Sequence, residues 1–244
     1  SEKSTGKKLF FKKKEIIVEQ LEKYDFANAE ITIFAAGSEI AKKWIPEASK
    51  KTIIIDNSSF FRMQNDVPLV VPEVNSESLG KHKNIISNPN CSTIQMVLAL
   101  KPLHDEYKIK RVIVSTYQAV SGAGKASVDE LFQQTKDYLN EEKIVSKNFT
   151  KQIAFNLIPH IDSFGRDGYT KEELKMINET KKILDNEIEI TATCVRVPVK
   201  TGHSESLNIE FENLFDFENI KKILNNSPGC KDFDEQKDGG KRTE

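Results

Sequence analysis

The stretch "NPNCSTIQMVLALKPLH" (88–104) places Cys91 directly after an Asn-Pro-Asn turn and at the start of an apolar run of helical type. A thiol there meets the unpaired N–H groups and the positive end of a helix dipole, and both favour the thiolate. Ser92 and Thr93 are able to share the same N–H groups. The position suits a nucleophile. It equally suits a small buried apolar residue, the usual fate of a free cysteine, and both readings stand.

Acyl chemistry at a thiolate needs a proton carrier. The histidines are His82, His104, His160 and His203. His203 is the preferred base, because "VPVKTGHSES" reads as a tight turn between strands with small polar neighbours. His82 sits in a charged loop. His104 ends the helix that begins at Cys91, and His160, in "NLIPHIDSFG", reads as structural. Arginine is scarce. Arg196, in "TCVRVPV", is strand-borne between apolar residues and needs an anionic partner. Arg62 follows "DNSSFF" at a strand end. The two suit a substrate with two anionic groups; structural ion pairs are the competing reading. "SGAGK" (121–125) is a Gly-rich turn before a helix but matches neither the phosphate-loop nor the dinucleotide pattern. No His/Cys/carboxylate cluster has ligand spacing, so no metal is expected.

These residues need elements to position them. "ITIFAAG" (31–37), "TIIID" (52–56) and "NIISN" (84–88) read as short buried strands. "SEIAKKWIPEASK" (38–50) reads as an amphipathic helix with Ser38 as N-cap. "VPLVVPEV" (67–74) is Pro-interrupted and extended. Strands alternating with helices imply a parallel sheet covered on both faces, with functional residues at the carboxyl ends of its strands. Further on, "RVIVSTYQAV" (111–120), "EITATCVRVPV" (189–199) and "SLNIEFE" (206–212) read as long strands. "SGAGKASVDELFQQTKDYLN" (121–140) is a turn running into a helix, and "TKEELKMINETKKIL" (170–184) is a helix starting at Thr170. The fold class is therefore α/β: a partial Rossmann-like parallel-sheet domain over residues 1–90, then an α+β domain over 91–244.

The totals narrow the function. Acids and bases nearly cancel, 37 against 36 over 244 residues, which gives no support to a nucleic-acid or anionic-membrane role. No apolar stretch approaches the roughly 20 residues that span a bilayer. Cys91, Cys194 and Cys230 are odd in number and far apart, which fits a reducing cytoplasm better than a disulfide framework.

Taken together, "FAAGSEIAKKW", "IDNSSFFRM…VPLVVPEVN", "NPNCSTIQMVLALKPLH", "STYQAVSGAGK", "NLIPHIDSF", "YTKEELKMINETKKIL" and "TCVRVPV…GHSES" resemble bacterial aspartate-semialdehyde dehydrogenases in order and spacing, from Ser1 to about Pro228. The resemblance implies an NADP-dependent enzyme. It would interconvert aspartate 4-semialdehyde plus phosphate with aspartyl 4-phosphate, in the synthesis of lysine (through diaminopimelate), methionine, threonine and isoleucine. It implies that Cys91 is the nucleophile, His203 the acid/base and Gln118 the group that orients the intermediate. Arg196 and Glu172 would hold the amino-acid end of the substrate. Arg62 and Lys175, with Asn90, would hold phosphate. Ser1, Ser4 and Thr5 would lie near the adenosine 2′-phosphate, and Gly37, Ser121, Gly122 and Ala123 along the cofactor path. A homodimer is implied, formed through the second domain.

The family's opening strand and its glycine-rich loop, GATGxVG, do not occur in these residues, and the match fades after "NNSPG" (226–229). The expectation that follows is an exposed apolar sheet edge and weak NADP binding by the chain as given. Two rival readings are N-acetyl-glutamyl-phosphate reductase, which shares the Cys/His logic, and a non-catalytic remnant in which Cys91 is merely inherited.

Overall fold

In the computed structural model, residues 4–165 and 167–231 are described. The N-terminal strands β1 (Lys8–Phe11) and β2 (Lys14–Ile17) pair as an antiparallel hairpin. Lys12 and Lys13 at its tip have φ of 46° and 66°. Asn-Gly is the usual sequence for such a turn. Two lysines carry no such signal, so the sequence does not announce the hairpin.

The first sheet is parallel, with β3 (Ile31–Phe34), β4 (Ile53–Asp56) and β5 (Ile85–Ser87) in that order. Phe26, Phe34, Ile45, Ile54 and Phe61 form the core beneath it. β3 is an edge strand, and Ile31 and Ile33 on it are 56% and 70% exposed, as expected. Helix α1 (Ser38–Ala48) follows β3. Its N-cap is Gly37, at φ 88°, not Ser38; the Ser38 hydroxyl instead meets Ser59 Oγ at 3.0 Å. The segment from Val67 is extended only as far as Val71. Pro72 then opens a single turn, α2 (Pro72–Asn75), because the missing proline N–H costs nothing at a first helical position.

Helix α3 (Cys91–Tyr107) leads into β6 (Ile109–Gln118). A short turn at Val120–Ala123 precedes α4 (Lys125–Leu139). Then come α5 (Lys171–Ile183), β7 (Glu189–Arg196), β8 (Ser204–Phe211) and α6 (Phe217–Asn226). The second sheet has the order β7-β6-β8, with β6 parallel to β7 and antiparallel to β8. α3 and α5 cover one face through Met96, Leu100, Leu103 and Met176, packed on Val112, Val114, Ala192 and Cys194. Ile113 and Tyr117 on β6 stay exposed.

This register builds the site. Gln118 pairs with Arg196 across β6 and β7, and Tyr117 pairs with Ser204, the residue after His203. Three residues distant in sequence therefore meet at one end of the second sheet. No described helix is long and apolar enough to cross a membrane.

Candidate active site

A cleft of about 520 Å³ opens between the ends of β4 and β5, the start of α3 and the turns before α4 and β8. Arg62, Asn90, Cys91, Ser121, Gly122 and His203 are among the residues lining it.

Cys91 is the first residue of α3 and is exposed to the cleft. The helix N–H groups behind it are already engaged: Asn90 Oδ1 accepts from Ser92 N at 3.0 Å and from Thr93 N at 3.3 Å. The cap is thus Asn90, and neither Ser92 nor Thr93 supplies it. This corrects the expectation of a depressed thiol. Loss of water around the sulfur pushes the Cys91 pKa up, the Glu172 carboxylate adds to the rise, and contacts with Ser92 only partly offset them. The shift favours the protonated thiol over the thiolate.

Glu172 is the hub beside it. Its Oε1 accepts from Asn90 Nδ2 at 2.9 Å and from Gln118 Nε2 at 3.1 Å, and its Oε2 pairs with Lys175 at 3.1 Å. Burial works to raise this carboxyl, but Lys175 and the two amides outweigh it and hold it below the usual carboxylate range. Lys175 also pairs with Asp162 at 3.1 Å. Burial opposes its charge, yet the two acids keep its pKa above the usual value. Gln118 is held in turn by the Thr116 hydroxyl, which donates to its Oε1 at 3.0 Å.

His203 and Arg196 both bond to the backbone of one residue, Ala119. Ala119 N donates to His203 Nδ1 at 3.0 Å, and Ala119 O accepts from Arg196 Nη1 at 2.7 Å. With Nδ1 accepting, the neutral imidazole carries its proton on Nε2. Burial and the Arg196 cation both hold the imidazole pKa below its ordinary value. Gly122 leaves room for this pair. A Cβ there would sit 3.0 Å from His203 Cε1, 3.1 Å from Nε2 and 3.3 Å from Arg196 Nη1.

Arg62 is buried and pairs with Glu179 at 3.0 Å, and its Nη2 donates to Asn57 O at 3.2 Å. Its Nε has no hydrogen-bond partner among the described residues. Of the expected cofactor residues, Ser121 and Gly122 line the cleft. Gly37 is not among the cleft-lining residues; it caps α1 just after β3, whose Phe34 O accepts from Asn57 N at the end of β4. Ala123 O is taken by Ser127 Oγ. Ser4 and Thr5 precede the hairpin, apart from the cleft lining, and Ser1 lies outside the described residues. His104 Nδ1 accepts from Ile109 N, and His160 stacks on Phe164, which are structural roles.

Two residues at the site escape a reading of the sequence, Glu179 and Lys182. Glu179 Oε2 accepts from Asn90 N at 2.6 Å, and Lys182 Nζ donates to the carbonyls of Arg62, Gln64 and Val67. The signal was present: Glu172, Lys175, Glu179 and Lys182 recur at helical spacing on one face of α5. Such a charged stripe ordinarily means solvent.

Residues 100–238 match the family model described as "Semialdehyde dehydrogenase, dimerisation domain". Residues 1–82 match "Semialdehyde dehydrogenase, NAD binding domain". The aspartate-semialdehyde dehydrogenase of Aquifex aeolicus is 53% identical over 94% of this chain and 69% of its own length. That of Bacillus subtilis is 49% identical over the same shares. A crystal structure of aspartate semialdehyde dehydrogenase II from Vibrio cholerae, complexed with ASA, superposes with a TM-score of 0.92 at 48% identity, over 94% of this chain and 69% of that one. The enzyme from Candida albicans, solved with NADP, gives 0.70 at 26% identity, over 94% and 68%. Those matches cover nearly the whole chain, and the fold with its cleft at Cys91, Arg62 and His203 agrees with them: the chain belongs to the aspartate-semialdehyde dehydrogenase family.

Proposed function

We propose that this chain carries out the family reaction at the cleft: the NADP-dependent, reversible reductive dephosphorylation of L-aspartyl 4-phosphate to L-aspartate 4-semialdehyde. The single observation that supports it most is the convergence of Cys91, His203, Arg196 and Glu172 at one end of the second sheet, with Arg62 across the cleft.

In the oxidative direction, Cys91 Sγ adds to the aldehyde carbon as the C=O π bond opens, and the thiol proton passes to the former carbonyl oxygen, giving the hemithioacetal hydroxyl. His203 presents Nε2–H to that oxygen, steadies the negative charge as it develops and guides the proton to it. NADP supplies the hydride acceptor. Cys91 then holds the acyl group as a thioester, and the hydroxyl proton leaves past His203. A phosphate oxygen attacks the thioester carbon, and the Cys91 sulfur departs, a good leaving group. Gln118 holds the acyl end in register. Arg196 and Glu172 take the carboxylate and ammonium of the amino-acid end, and Lys175, Asn90 and Arg62 orient phosphate.

The residues present fit a dinucleotide at its reactive end, where Gly122 has no side chain to block the approach to His203 and Arg196. Ser121 and Gly122 would flank the nicotinamide. Gly37, which caps α1 without a side-chain acceptor, would face the phosphates with the first N–H groups of that helix. Ser1, Ser4, Thr5 and Ala123 complete this proposed cofactor path.

We further assign residues 1–90 to cofactor binding and 91–244 to catalysis and pairing. Two copies would join through the exposed face of the second sheet at Ile113 and Tyr117. The three free thiols suit the reducing cytoplasm.

The test is phosphate-dependent reduction of NADP by the purified 244-residue chain with aspartate semialdehyde. Turnover abolished in Cys91→Ser supports the reading. Reduction that persists in Cys91→Ser, or that proceeds equally well without phosphate, overturns it.

A further inference from the structure

We propose that Glu179 is a positioning residue that ties the phosphate-binding arginine, Arg62, to the turn presenting Cys91, so that acyl acceptor and nucleophile are held by one carboxylate. This rests on the reading of Arg62 and Cys91 given above.

Glu179 is 1% exposed, on α5 in the middle of the chain's second half. One oxygen accepts from Arg62 Nη1 at 3.0 Å, the other from the backbone N–H of Asn90 at 2.6 Å. Asn90 is the residue before the nucleophile, and its side chain simultaneously caps α3 and donates to Glu172. Arg62 in turn hangs on a loop whose carbonyls converge on Lys182, about one turn further along α5. Both ends of the link are therefore set from the same helix face.

A carboxylate this deep is expensive to keep. Burial raises its pKa despite the guanidinium beside it. An apolar side chain of similar size would pack the same space without that cost. What an apolar side chain lacks is a fixed separation between a cation and a backbone N–H, which a two-oxygen acceptor provides. The pair also leaves Arg62 half-satisfied: one N–H of Nη1 is committed to Glu179 and one of Nη2 to Asn57 O, while the buried Nε has no partner among the described residues. The guanidinium is held in place at the cleft wall, and Nη1 and Nη2 each carry a second N–H that can serve an anion there.

The experiment uses Cys91 alkylation by iodoacetamide, followed by peptide mass spectrometry, on the 244-residue chain. Protection by inorganic phosphate and by aspartate semialdehyde is titrated separately in the parent and in Glu179→Gln. The amide keeps the acceptor for Asn90 N–H but loses the ion pair. The expected result is a phosphate midpoint raised at least about tenfold and a semialdehyde midpoint changed less than about threefold. A role in general packing would move both midpoints together, and that outcome, or an unchanged phosphate midpoint, overturns the proposal. Should Glu179→Gln not fold, Glu179→Asp keeps the charge but is too short to reach both partners. Its phosphate midpoint is expected to rise about threefold or more, and no change there is equally fatal. Absence of any phosphate protection in the parent removes the anion reading of Arg62 and this inference with it. Protection in the parent with an indifferent variant removes only the role of Glu179.

Discussion

At Cys91 two opposed influences compete, and the magnitudes decide between them. A helix N-terminus stabilises a thiolate by a modest amount, and here Asn90 already spends the N–H groups that would do so. Loss of solvent and the Glu172 carboxylate outweigh what remains. Alkylation of Cys91 in the free protein should therefore rise with pH through and beyond the ordinary thiol range, without a plateau near neutrality. Glu172→Gln removes the opposing charge and should speed alkylation at pH 8 by about threefold; peptide mass spectrometry over a pH series reads both. Cys194 provides the internal contrast. It is fully buried and pushed up to about 12, so it should stay unmodified until the chain unfolds. Gly122 gives a second test at this scale. A methyl group there would overlap His203 Nε2 at 3.1 Å. Gly122→Ala should cost on the order of 10²-fold in kcat with little change in Tm, measured by steady-state kinetics beside thermal unfolding. Normal turnover in that variant would place the reacting oxygen away from His203.

Among the elements, α5 supplies the most residues of the proposed site for its length. Thr170 accepts from Glu173 N at 3.3 Å, and Glu173 accepts from Thr170 N at 2.7 Å, a reciprocal cap at the start of the helix that holds Glu172, Lys175 and Glu179. Glu173 also accepts from Cys194 N at 3.0 Å, which fixes the helix on β7. Thr170→Ala should destabilise the protein by about 1–2 kcal/mol in urea denaturation and should lower substrate affinity as the first turn of α5 frays. The helix start was legible because a hydroxyl followed by glutamates before an apolar period is a local pattern. β3, β4, β6 and the Cys91 turn were legible for the same reason: apolar runs and Asn-Pro-Asn act within a few residues. The β1–β2 hairpin was not, since Lys12 and Lys13 adopt positive φ without the residue types that favour it. Nor was the Arg62–Glu179 link, which joins residues 117 positions apart. Their partnership depends on how α5 lies against the loop after β4, and no spacing within either segment encodes it. The Cys91 pKa failed for a related reason: the helix end is local, whereas Glu172 arrives from another element.

For the molecule as a whole, the balance of buried carboxylates sets how stability depends on pH. Glu205 on β8 lies opposite Thr116 on β6. Burial pushes its pKa up to about 7, only partly offset by a hydrogen bond from Gln95 one turn into α3, and its Oε1 finds no partner among the described residues. Cys194 on β7 faces the same space and feels its charge. Unfolded, Glu205 titrates near the ordinary 4.5. Between that pH and about 7 the folded chain therefore holds a proton that the unfolded chain has lost. Stability contributed by this group falls as pH rises through the window, and above it the native state carries a poorly solvated charge. Glu172 acts in the opposite sense at a lower pH. Its depressed folded pKa stabilises the native state above the ordinary carboxylate range, and that contribution disappears as pH falls through the folded value. Taken by themselves, these two groups favour a pH between their two windows. Glu205→Gln should flatten only the upper slope, raising Tm at pH 8 by about 2–4 °C while leaving it nearly unchanged at pH 5, where the native carboxyl is already protonated. Thermal unfolding of parent and variant at the two pH values measures the difference. An equal shift at both would mean that Glu205 acts through packing and not through its charge.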